Sequence, residues 1–199
     1  MEDKDKKQNE NYICRAQIIN STATDEYDFE CVAVPEKNGQ IRYSYNNDEY
    51  FNQVLRTGKD NVKIERLESG LPLFDNHPWD NSAKNTLGIS VGYDFDERGI
   101  IVRCKFGARA DEALRQDVAN GIIKTVSIEG SIINYSVERN QNQIPTYYAE
   151  LWEPESLSFA PVPNDIGASI TVKRAIEKQI KSSTEEKSIY KQLTKKFLK

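Results

Sequence analysis

Leu87-Gly88-Ile89-Ser90-Val91-Gly92-Tyr93-Asp94 and Ile100-Ile101-Val102-Arg103-Cys104-Lys105-Phe106 are the runs that decide the fold class. Between them lies Asp94-Phe95-Asp96-Glu97-Arg98-Gly99, a turn by composition. Short runs of β-branched and aromatic residues bounded by turn residues read as strands. Alternation along the second run puts Cys104 on an apolar face with Val102 and Phe106, so core packing is its expected role. Gly88 and Gly92 on the first strand mark close packing against a neighbour rather than ligand approach.

The same signals recur outward in both directions. Tyr12 to Asn20 and Tyr27 to Val34 read as strands separated by the polar turn Ser21 to Glu26. Pro35-Glu36-Lys37-Asn38-Gly39 is a strong turn, and its Asn38-Gly39 pair predicts a hairpin into Ile41 to Tyr45. Asp48 to Thr57 predicts a short helix with Tyr50, Phe51, Val54 and Leu55 on one side. Ala108 to Asn120 is the clearest internal helix, with Ala110, Ala113, Leu114 and Val118 on one stripe and Gly121 as its stop. A strand holding Ser127 follows, then strands at Ser131 to Val137, Pro145 to Leu151 and Ser156 to Val162. Many short strands with few helices predict a mainly β fold with peripheral helices. The set is expected to be mostly antiparallel and to form a closed or nearly closed barrel, because closure removes exposed edges.

Three segments are expected: a disordered arm over 1–11, a barrel domain over 12–172 and a basic helical tail over 173–199. The tail holds nine Lys or Arg against three Glu, a net charge of +6, which leaves −10 on the remainder of a chain whose total is −4. Ile189, Leu193 and Phe197 recur every four residues after a capping-box start at Ser182 to Glu186. That pattern suits an amphipathic helix docking on a partner or on the barrel itself; a solvated charged tail explains it equally well. The acidic body makes nucleic acid an unlikely partner. No stretch approaches the roughly 20 apolar residues that a membrane helix needs, and Met1 to Asn11 lacks the apolar stretch of a secretion signal. Three isolated cysteines without C-x-x-C spacing fit a reducing compartment and argue against a disulfide framework. With one histidine and no cysteine pair, a structural or catalytic zinc site is not expected, and the chemistry read below implies no cofactor.

The candidate chemistry sits in three further runs. Leu71-Pro72-Leu73-Phe74-Asp75-Asn76-His77 ends on the sole histidine, and Val126-Ser127-Ile128 follows fifty residues on. Trp152-Glu153-Pro154-Glu155-Ser156-Leu157-Ser158-Phe159-Ala160-Pro161-Val162-Pro163 closes the set. A free serine is a weak nucleophile at neutral pH and needs a base to take its proton. If that base is a histidine, it is His77.

In order and spacing these runs resemble the capsid-maturation (prohead) serine proteases of tailed bacteriophages. Such proteins carry a His after a short apolar run, a Ser in a V/L-S-[IV]-G segment, and later a strand reading roughly W-x-P-x-E-[VI]-S-L-V-x-V-P-A-[DN]. The likeness covers about residues 60 to 170 and puts Trp152, Pro154, Ser158, Val162, Pro163 and Asp165 in register. It implies a herpesvirus-assemblin-like barrel and a self-cleaving serine endopeptidase working in the host cytoplasm, inside the immature head. Ser127 is then the nucleophile, with Ser131 as its backup, and His77 is general base and then general acid. The implied partners are the major capsid protein and a scaffold, with self-association allowed and no membrane. Ala168-Ser169, just past the core, is a candidate self-cleavage point.

Three positions depart from that pattern. Pro78 follows His77 where many family members have Asp, which alters loop geometry more than chemistry. The carboxylate expected to orient the histidine falls on Ser156, and losing such a charge costs roughly four orders of magnitude in turnover. Glu155 becomes the substitute if Pro154 allows a bulge, with Ser156 acting through a water as the next choice. Glu129 stands where the family has glycine, the glycine being displaced to Gly130; it would crowd the oxyanion site or serve as the carboxylate partner of His77. These departures motivate a rival reading, a catalytically silent homologue serving as a scaffold or assembly module. A third reading, a non-viral β-barrel binding domain, rests on fold plausibility alone.

Overall fold

Among the described residues, runs of three to fourteen positions, most of them alternating apolar and polar, build nine strands, and two short helices lie in the connections. The computed structural model describes residues 10–20, 23–76, 82–159 and Lys181. In chain order these form β1 (Glu10–Asn20), β2 (Phe29–Pro35), β3 (Gln40–Ser44), β4 (Glu49–Leu55), α1 (Glu65–Ser69) and β5 (Pro72–Phe74). There follow β6 (Thr86–Asp96), β7 (Gly99–Phe106), α2 (Glu112–Ala119), β8 (Thr125–Glu138) and β9 (Thr146–Phe159). The molecule is mainly β, as its sequence predicts. No helix among the described residues is long and apolar enough to cross a membrane.

The described chain divides into two compact units. Among the described residues, the first holds those up to Asn38, Leu55–Tyr135 and those from Ala149 to the end of β9. Its strands are hydrogen-bonded in the order β9-β5-β6-β7-β2-β1-β8, and β8 is also a partner of β9. Leu87–Asp94 and Ile100–Phe106 fall within the antiparallel pair β6 and β7, whose register passes Ser90↔Cys104 and Asp94↔Ile101. The core of this unit gathers Phe29, Cys31, Val34, Leu73, Val102, Cys104, Val126, Ile128, Trp152, Leu157 and Phe159, all buried. Burying one such apolar side chain stabilises by roughly 1.5–3 kcal/mol relative to leaving it exposed, so this cluster is what holds the strands together. Trp152 also donates its indole N–H to the Arg56 carbonyl at 2.8 Å, which satisfies the one polar atom that its burial takes from water.

The second unit holds Gly39–Val54 and Ser136–Tyr148. Here β3 pairs antiparallel with β4, with Arg42 opposite Phe51, and Asp48 takes a left-handed backbone (φ 53°) in the connecting turn. Phe51 packs on Tyr147 with ring centroids 4.4 Å apart. Arg139 clamps the Glu49 carboxylate with two bonds, at 2.8 and 3.0 Å, and the Tyr147 hydroxyl donates to the same group at 2.9 Å.

Several expectations are corrected. Asp48 to Thr57 is strand β4 rather than a helix: Phe51, Gln53 and Leu55 are buried while Tyr50, Asn52 and Val54 are half-buried, a period of two. The Asn38-Gly39 step makes no hairpin, since β2 pairs with β1 and β7. Asn38 instead ties the turn to β4, donating to the Pro35 and Leu55 carbonyls at 2.8 and 2.9 Å and accepting from the Leu55 N–H at 2.8 Å. The four strand segments expected after residue 125 are two long strands, β8 and β9, and Pro154 lies inside the second. The mostly antiparallel, closed or nearly closed barrel is corrected in two respects. Among the described residues β3 has β4 as its only partner, so the nine-stranded sheet as a whole keeps an end strand and, despite the pairing of β8 with β9, is not closed into a barrel. And β5 runs parallel to β9, with Leu73 beside Leu157 and Phe74 beside Ser158. Glu10 and Asn11, expected in the arm, already belong to β1. Residues 1–9, His77, Ala168-Ser169 and the tail apart from Lys181 lie outside the described residues.

Candidate functional site

The path to Ser127 is set by a capped helix. Asp111 accepts the Leu114 N–H on its carboxylate at 2.8 Å, filling one of the donors that a helix start leaves open. Gly121, with φ at 68°, ends α2 in the left-handed region where a side chain is strained. The Ile122 and Ile123 N–H groups then both reach back to the Asp117 carbonyl, and β8 begins two residues before Ser127.

Along β8, Val126, Ile128 and Ile132 enter the core. Successive strand side chains point to opposite faces, so Ser127, Glu129 and Ser131 share the other one. Ser127 is nevertheless only 1% exposed. Across β1 it sits opposite Arg15, within the run of antiparallel pairs from Glu10↔Ile132 to Gln17↔Thr125.

β9 is less regular, and its irregularity shapes the site. Its core residues are Ala149, Trp152, Leu157 and Phe159. The odd spacings from 149 to 152 and from 152 to 157 mean that the inward phase slips twice, the second time around Pro154, Glu155 and Ser156. A proline is expected at such a break, because it cannot donate to a ladder. In consequence two adjacent residues of β9 meet the same face of β8. Ser131 donates its hydroxyl to the Glu155 carboxylate at 2.6 Å, and Ser156 donates to Glu129 at 3.1 Å. Beyond the slip, Leu157 and Phe159 face inward while Ser156 and Ser158 take the other side, both buried.

On the far side of β9, Phe74 of β5 pairs with Ser158. The chain continues from Phe74 through Asp75 and Asn76, and His77, which follows, lies outside the described residues. Of the sequence-predicted site residues, four are thus brought together on one face: Ser127 and Glu129 on β8, Glu155 and Ser156 on β9. Ser158 joins them and was not singled out. Its sequence signals are its place in the Trp152-to-Pro163 match and its alternation with Ser156, and neither assigns it a chemical role.

The face offers four hydroxyls and two carboxylates. A hydroxyl can attack a carbonyl if a base takes its proton, and a carboxylate can orient that base or hold its charged form. Among the described residues no group of three or more His, Cys, Asp or Glu is placed to hold a metal ion. Cys31 and Cys104 take no part: both are free and fully buried. A hydrogen bond with Cys31 and burial together push the Cys104 thiol well above its usual value, away from the reactive thiolate. No family model matches this chain, and neither a curated protein nor a solved structure matches it.

Proposed function

We propose that this protein is a serine endopeptidase of the assemblin-like prohead type, cutting scaffold and capsid-protein segments, and itself, during phage head maturation. One observation carries the reading beyond the sequence likeness. Ser127's strand brings Glu129 and Ser131 into hydrogen bonds with Ser156 and Glu155, joining residues 27 and 24 positions apart on the face that Ser127 shares. In this reading Ser127 attacks the peptide carbonyl, His77 takes the hydroxyl proton and returns it to the leaving amine, and water hydrolyses the acyl-enzyme. Glu129 and Glu155 are the carboxylates available to orient His77, and Ser156 links Glu129 to β9.

The test is the wild type beside Ser127→Ala, each incubated with the cognate capsid precursor and followed by intact mass spectrometry. Precursor fragments appearing with the wild type and not with the variant are the expected result. Uncut precursor in both, with folded protein, would overturn the reading.

A second reading has its own observation. Ser127 is almost wholly buried, and both carboxylates are already engaged by serines, which suits a silent homologue that assembles heads without cutting. It predicts that Ser127→Ala leaves head assembly unchanged while truncation after Ile170 disrupts it.

A further inference from the structure

Ser158 is fully buried, and its hydroxyl is the single buried side-chain polar atom without a hydrogen-bond partner among the described residues. Leaving a buried hydroxyl unpaired costs about 1–3 kcal/mol, so such a group marks a place where a partner arrives later or where strain serves function. Its position says which partner. The seven residues between β8 and β9 are too few for a parallel crossover, so the two strands run antiparallel. Contacts agree: as β8 falls from Ser131 to Glu129, β9 rises from Glu155 to Ser156. Two residues further on, the facing positions are Ser127 and Ser158. Facing strand residues hold their Cβ atoms about 4.5–5.5 Å apart, so the two hydroxyls border one small space.

Backbone donors are scarce at that point. β8 is paired on one side with β1, in continuous register through Arg15↔Ser127, Cys14↔Ile128 and Ile13↔Glu129, and on the other side with β9. A ladder consumes the N–H groups along its paired edge, so those of β8 that face β1 beside Ser127 are not free to form an oxyanion hole. A side-chain donor from β9 can serve instead.

We propose that Ser158 is a further catalytic residue, its hydroxyl donating to the carbonyl oxygen of the bond that Ser127 attacks. The inference rests on the protease reading above and adds the donor that reading lacks. As the Ser127 Oγ–carbon bond forms, the carbonyl π pair moves onto oxygen, the Ser127 proton passes to the general base, and Ser158 donates to the new oxyanion. On collapse the carbon–nitrogen bond breaks and the base gives the proton to the leaving amine. A donor aimed at charge that develops only in the transition state lowers the barrier without tightening substrate binding.

The experiment uses the full chain and an alkyl fluorophosphonate, whose phosphoryl oxygen takes the place of the oxyanion as Ser127 Oγ displaces fluoride. Labelling rates at Ser127 are read by intact mass spectrometry for the wild type, Ser158→Ala and Ser158→Thr, with thermal unfolding of each. The expected result is labelling slowed by about 100-fold in Ser158→Ala, the lower end of the loss for one oxyanion donor. The Ala variant should show an unchanged or raised midpoint, because the lost hydroxyl had no partner, and Ser158→Thr should keep most of the rate. A wild type that labels beside a Ser158→Ala that labels equally fast overturns the role of Ser158 and leaves the protease reading standing. So does a Thr variant as slow as Ala with its midpoint intact. A folded wild type that never labels overturns the protease reading and, with it, this inference.

Discussion

At Gly88 the backbone of β7 leaves no room for a side chain. A Cβ added there would sit 2.3 Å from the Lys105 carbonyl oxygen, a backbone atom that cannot swing aside. Gly88→Ala is therefore expected to destabilise by about 1–3 kcal/mol, the usual cost of overpacking, read as a lower urea midpoint. Gly92 on the same strand makes a useful contrast, since its added Cβ would meet only the Arg103 side chain at 3.4 Å, and Gly92→Ala should cost less. Residue chemistry of this kind was legible in the sequence. A small residue in a strand, or a cysteine alternating with Val102 and Phe106, announces close packing by its type, and Cys104 is indeed fully buried. The candidate site was legible only in part. Ser127, Glu129, Glu155 and Ser156 could be singled out by motif, but which of them touch depends on the phase slip in β9, and no pattern of residue types encodes its position. Ser158 shows the limit plainly: the motif puts it in register, but only burial without a partner marks it as a candidate for chemistry.

The elements divide by how local their causes are. α2 carries its own instructions: Asp111 caps it, Gly121 stops it, and Val118 supplies the one buried side chain. Asp111→Ala should cost about 1 kcal/mol through the lost Leu114 N–H bond, measured by denaturant unfolding. The β6–β7 pair is similarly self-contained, because its turn is short and both runs alternate. β4 departs from its sequence pattern for the opposite reason. Tyr50, Phe51, Val54 and Leu55 satisfy a helical stripe as well as a strand, and propensity over so few residues is a weak prior. What decides is the available partner: β3 offers its edge in register from Gln40↔Gln53 to Ser44↔Glu49, and Phe51 finds the Tyr147 ring. The Asn38-Gly39 turn was misread because a turn signal shows that the chain bends without showing which strand it returns to.

At the scale of the whole molecule, alkaline pH is the expected weakness. Tyr147 is pushed up from 10.0 to about 12 by burial and by its hydrogen bond to Glu49. Tyr43, bonded to Asp48, and Tyr93, partly desolvated and beside Glu68, are raised as well. Each of these tyrosines holds its proton more tightly folded than unfolded. Their contribution is complete below about pH 10, the unfolded value, and is lost as pH rises through the folded values. Unfolding free energy should therefore decline between pH 10 and about 12, and Tyr147→Phe should flatten the decline. An equally steep loss in that variant would show that Tyr147 is not responsible. The sequence by itself determined the strand-rich class, the helix before Ser127 and the residue types offered for chemistry, because alternation, capping and turn residues act over a few neighbours. Tertiary structure alone decided that β5 runs parallel to β9, that β3 leaves an end strand, and that Glu155 and Ser156 meet one face of β8. Those outcomes depend on pairings between segments tens of residues apart, where burial and free hydrogen-bonding edges outweigh any local preference.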